Sequence, residues 1–147
     1  MRRALTALLC VLLLAACGSS SNRLSRHEYA SQADAICRHY NEETKKLPTP
    51  SDPKGFVRLA DQTLPLLDDA RAKLRKLRPP EDEQALSNRW LASLAQLRSD
   101  VVDLRASANA NDLLGVARLV PKARHHLAHS NLLATQLGMH VCNKTNG

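Results

Sequence analysis

The sequence predicts an all-α fold: an antiparallel four-helix bundle with kinked helices. Three observations predict it. Apolar residues recur every three to four positions in four separate stretches, the period of a helix with one buried face. The connections between them are short and rich in proline or asparagine, and short connections set consecutive helices side by side and antiparallel. One Trp, two Tyr and one Phe in 147 residues, with no long period-two alternation, argue against a sheet.

The first helix starts at Ser25-Arg26-His27-Glu28, which has the Ser-x-x-Glu form of a capping box. Its stripe is Tyr29, Ala33, Ile36, Cys37, Tyr40, Thr44 and Leu47, with Arg38, Glu42 and Lys45 opposite. Pro48, Pro50 and Pro53 end it. Ser51 or Asp52 caps the second helix, with Pro53 in its first turn. Phe56, Ala60, Thr63, Leu67, Ala70, Leu74 and Leu77 mark its buried face, and Pro65 kinks it or splits it in two. Pro79 and Pro80 close this segment.

Glu81, Asp82 and Glu83 lie near the positive end of the third helix, where acidic groups are favoured. Leu86, Trp90, Leu94, Leu97, Val101 and Leu104 form the most regular stripe in the chain. It fades over Ala106–Asn111, the expected third turn. Asn111 or Asp112 caps the fourth helix, whose inner face reads Leu113, Ala117, Val120, Ala123, Leu127, Ser130, Ala134 and Leu137. Pro121 implies a second kink, and Gly138 suits a left-handed C-terminal cap. Acidic residues are expected to avoid all four stripes, and Trp90 and the two tyrosines to pack in the core.

A different kind of segment precedes the bundle. Arg2 and Arg3 are followed by an apolar run, Ala4–Leu14, and then by small residues, the three parts of a secretory signal. The run is about half the roughly 20 residues of a membrane span. Leu14-Ala15-Ala16-Cys17 resembles the lipobox of bacterial lipoproteins. The resemblance implies removal of residues 1–16, a diacylglyceryl group on the Cys17 thiol and acylation of its new amino group. Two or more acyl chains hold a protein stably on a bilayer. Residues 17–24, with Gly18–Ser21 small and polar, read as a flexible tether, and residues 25–147 as the bundle domain.

Removing residues 1–16 leaves 19 basic and 14 acidic residues, a net charge of +5. That excess favours anionic neighbours such as headgroups or wall polymers. Nucleic acid is not an expected partner outside the cytoplasmic membrane. Of the four cysteines, Cys10 leaves with the signal and Cys17 carries lipid. Cys37 and Cys142 remain, an even pair in an oxidising compartment, and are expected to form a disulfide.

Tyr29-x-x-x-Ala33-Asp34-Ala35-Ile36-Cys37-Arg38, Leu77-Arg78-Pro79-Pro80 and Leu137-Gly138-x-x-x-Cys142 resemble small secreted helical lipoproteins common in actinobacteria. The resemblance implies location and fold, and brings no catalytic residue with it.

Candidate sites are few. His125 and His129, four apart on a helix, could share a metal ion, but both face outward and lack an evident third ligand. They are expected to be solvated, and neither a metal nor another cofactor is expected. Arg71, Lys73, Arg75, Lys76 and Arg78, with Arg118, Lys122 and Arg124, read mainly as solvated basic faces. No Gly-x-Ser-x-Gly, Glu-x-x-His or phosphate-binding glycine loop is present. The expected function is non-catalytic: a membrane-anchored module that binds or scaffolds an envelope protein or an anionic polymer. Metal or small-ligand capture by the histidine-bearing fourth helix is the alternative, and an enzyme the third reading.

Overall fold

The computed structural model describes residues 22–144. The expected signal peptide, Cys17 and most of the tether lie outside the described residues. The elements are α1 (Arg26–Thr44), α2 (Pro53–Leu74), a 3-10 turn (Glu81–Glu83), α3 (Gln84–Asn109) and α4 (Leu113–Gln136). They form the expected four-helix bundle. None of the described helices is long and apolar enough to cross a membrane.

Local signals set the helix ends. Ser25 and Glu28 form the capping box reciprocally: the Glu28 N–H donates to Ser25 Oγ at 3.3 Å, and the Ser25 N–H to Glu28 Oε2 at 2.8 Å. Asp52 and Asp112 accept from the N–H groups of Gly55 and Gly115, capping α2 and α4. Gly138 is left-handed at φ 76°, and bonds from Gly138 to Thr135 and Met139 to Ala134 complete a Schellman motif.

Both interior prolines are tolerated. α2 runs unbroken through Pro65 and α4 through Pro121. Each proline is exposed, so solvent can bond the carbonyl that its missing N–H leaves free.

Four expectations are corrected. The segment Ala106–Asn109 is helix rather than turn, because its alanines favour the helix whatever the stripe does; Ala108 is 3% exposed. Leu47 lies beyond the end of α1, in the turn. Leu113 and Ala117 do not face inward. Asp112 and left-handed Asn111 set α4 off so that Gly115, Val116 and Leu119 do. Gly115 fits against α3 because a Cβ there would overlap Asp112 and meet Ser107. Phe56 is exposed at the start of α2.

Cross-helix pairs define the layout. Arg98 and Arg105 of α3 meet Asp68 and Asp61 of α2, so these helices run antiparallel. Asp100 of α3 meets His126 of α4. Tyr29 of α1 bonds Ser87 of α3 at 2.6 Å. Consequently the start of α1, the end of α2, the start of α3 and the end of α4 share one end of the bundle. Arg23 and Leu24, the last residues of the expected tether, are tied to that end. Arg23 donates to Pro79 O and Gln84 Oε1, and the Leu24 N–H to Arg78 O at 2.8 Å.

The densest core is at this end: Tyr29, Ala33, Leu74, Trp90, Ala134, Leu137 and Met139. α1 packs on α2, α2 on α3 and α3 on α4, while no comparable packing joins α4 to α1. The C-terminal tail spans that seam. Cys142 is disulfide-bonded to Cys37, with Cα atoms 5.3 Å apart.

Candidate functional site

An apolar cavity of about 370 Å³ runs through the bundle below the dense core. That volume lies within the range of small-molecule sites, roughly 300–1,000 Å³. α3 supplies its floor, from Trp90 through Leu94, Leu97 and Val101 to Leu104. Fourteen helical steps of about 1.5 Å make it about 21 Å long, a slot rather than a round hole. Leu67, Ala70 and Leu74 of α2 form one wall; Val120, Ala123 and Leu127 of α4 form the other. Tyr40 and the Cys37–Cys142 bridge lie at the seam between α1 and α4. Burial raises the Tyr40 pKa above the usual phenol value.

The slot exists because the third stripe is only partly covered. Leu94, Leu97, Val101 and Leu104 are half-buried although they carry the most regular apolar pattern in the chain. Alanines at positions 70 and 123 are too short to fill the space opposite them.

Polar groups line it sparsely, and two are short of partners. The Trp90 indole Nε1 is buried and has no hydrogen-bond partner. The Arg71 side chain is 11% exposed, and its contact with Asp68 is long, at 3.5 Å. Asp68 is engaged chiefly by Arg98, which bonds it through Nε at 2.6 Å and Nη2 at 3.0 Å. That bond holds the Asp68 carboxyl below its usual value. Burial, then the nearby Arg75 charge, lowers the pKa of Arg71. At the rim stand Arg124, Lys144, Asn41 and Asn131.

Buried acidic groups overturn the expectation that carboxylates avoid the apolar faces. Asp34, Glu83 and Asp100 are 9%, 7% and 2% exposed. Asp34 is the receptor for the tail. Its carboxylate accepts the N–H groups of His140 and Val141 at 2.8 Å and of Cys142 at 3.0 Å. Glu83 pairs with Arg26 at 2.9 Å. Asp100 accepts from Gln96 Nε2 at 3.3 Å and lies 2.7 Å from His126 Nδ1.

The Asp100–His126 pair has the orientation that a carboxylate gives an imidazole base. No hydroxyl or thiol is bonded to that imidazole among the described residues, and His126 is not part of the slot lining. His125 and His129 are exposed on the outer face of α4. Among the described residues no three His, Cys, Asp or Glu side chains come together as a metal site.

Of the basic residues singled out in the sequence, most face solvent, and Lys73 pairs with Asp69 at 2.7 Å. Two of them line the slot: Arg71, drawn in along its wall, and Arg124, exposed at its rim. The sequence signal for Arg71 was its place between Ala70 and Leu74, at the border of the α2 stripe.

Compared with protein-family models, curated proteins and solved structures, the chain matches none.

Proposed function

We propose that this chain is a bacterial envelope lipoprotein, held on the outer face of the cytoplasmic membrane through Cys17, whose bundle binds a small apolar ligand without transforming it. The observation that carries this reading is the slot: a long apolar cavity lined by half-buried leucines and valines, with few polar groups. Leaving so much apolar surface uncovered forgoes about 25 cal/mol per Å², a cost that a ligand offsets. The lipobox and the small tether after it support the location.

The test uses an uncharged dye that fluoresces in apolar surroundings, such as Nile red. The full mature chain carrying Cys17→Ser should bind it saturably, one per chain. Leu97→Trp, which fills the slot, should remove binding while the circular dichroism spectrum stays helical. A folded chain that fails to bind the dye sinks the reading.

A protein partner is a second reading, favoured by a separate observation. Leu113 and Leu114 are 65% and 77% exposed at the end of the bundle away from Leu24, the end that also carries exposed Phe56. With the anchor at the Leu24 end, such a tip would point away from the membrane, and its exposed apolar side chains support a protein contact there.

A further inference from the structure

We propose that the slot takes a single-chain anionic amphiphile, with its headgroup on Arg71 and its alkyl chain laid along α3 towards Leu104. This rests on the ligand-binding reading above and names the ligand's chemistry.

The argument starts from Arg71. Asp68 faces Arg98, and α2 runs antiparallel to α3, so Arg71, about one turn further along α2, stands beside the Leu94 level. From there to Leu104 the slot follows ten helical steps of α3, about 15 Å of floor. The guanidinium has five donors, and the contact it makes to a carboxylate is at the limit of a hydrogen bond. A cation removed from water and left short of acceptors is costly unless something anionic meets it. A carboxylate or phosphate placed here would accept from the guanidinium, whose one contact to Asp68 is long.

The rest of the lining fits the other half of such a molecule. Beyond Arg71 the floor and walls are Leu97, Val101, Leu104, Val120 and Ala123; the polar groups on that stretch are Asp100 and Tyr40, with Asn41 and Arg124 at the rim. The Asp100 carboxylate is held by His126 and Gln96. A cavity of about 370 Å³ suits a single hydrocarbon chain better than two.

The experiment titrates the mature chain carrying Cys17→Ser with dodecanoate, dodecyl phosphate and dodecanol, each below its aggregation concentration, and reads the fluorescence of Trp90. The two anions should bind one per chain, and at least one of them about tenfold more tightly than dodecanol. Arg71→Gln should remove that preference while changing dodecanol affinity less than twofold. Which anion binds more tightly separates a carboxylate from a phosphate source. Equal binding of all three, with Arg71→Gln silent, overturns the headgroup assignment and leaves the apolar slot standing. Binding of none by a folded chain overturns both. Retention of the anion preference in Arg71→Gln would place the headgroup elsewhere and sink this proposal.

Discussion

Asp34 shows how one side chain can organise a distant segment. It sits one turn before Cys37 on α1 and gathers three successive backbone N–H groups of the tail. Replacing it by Ala leaves those donors unpaired beside a buried surface. Asp34→Ala should lower the unfolding free energy by about 2–4 kcal/mol even with the disulfide closed, measured by urea denaturation. Asp34→Asn, which keeps one acceptor oxygen, should cost less. The acid limb of stability is also set residue by residue. Asp68, held by Arg98, and Glu28, held by Ser25, have pKa values below their usual ones in the fold. Their contribution is complete above the ordinary carboxylate range and disappears as pH falls through the lowered values. Stability should therefore hold from neutral pH to about pH 5 and decline below about pH 4. Arg98→Gln should flatten that decline in urea midpoints measured against pH. None of the buried acids was legible in the sequence. Asp34 and Asp100 look like polar neighbours of a stripe, and burial depends on partners 106 and 26 positions away.

At the scale of the helix, legibility was high because the signals are local. Ser25, Asp52 and Asp112 cap the helices as their side chains dictate, and Gly138 ends α4 by taking a conformation that other residues resist. The errors fell where a local rule met tertiary geometry. The start of α4 turned its leucines outward because the preceding turn set the phase. Apolar pattern faded at Ala106, yet alanine propensity carried α3 on through four residues, to Asn109. Pro65 gives this scale its test. It is exposed within an unbroken helix, so it contributes a missing hydrogen bond without a packing role. Pro65→Ala should raise stability by about 1–3 kcal/mol, read as an upward shift in thermal midpoint.

Over the whole molecule, bundle and disulfide were legible and the slot was not. Stripes say which faces are apolar; they do not say whether facing helices close upon one another. Here α1 shares a core with α4 only at the dense end, where Tyr29 and Ala33 join Leu133 and Ala134; below it the tail spans the seam and the strongest stripe is left half-covered. The staple across that seam can be tested directly. Reduction should lower stability by about 4–5 kcal/mol in the chain-entropy picture, checked by urea titration with and without a thiol reductant. Its effect should exceed that of Asp34→Ala, since the two act on the same tail and the bridge also limits the unfolded chain.

That staple also decides how the protein carries mechanical load. In the proposed lipoprotein reading the N-terminal segment would lead to the membrane, and a load would be applied between it and the tail that Asp34 and Cys37 hold. A pull between them enters at Leu24, travels along the first three turns of α1 and leaves through Cys37 directly into Cys142. The 105-residue span between the cysteines is shunted out of the force path. Helices α2, α3 and α4, which form most of the slot, therefore stay slack while the N-terminal segment is under tension. Only the first half of α1 can be drawn out before the covalent link takes the strain.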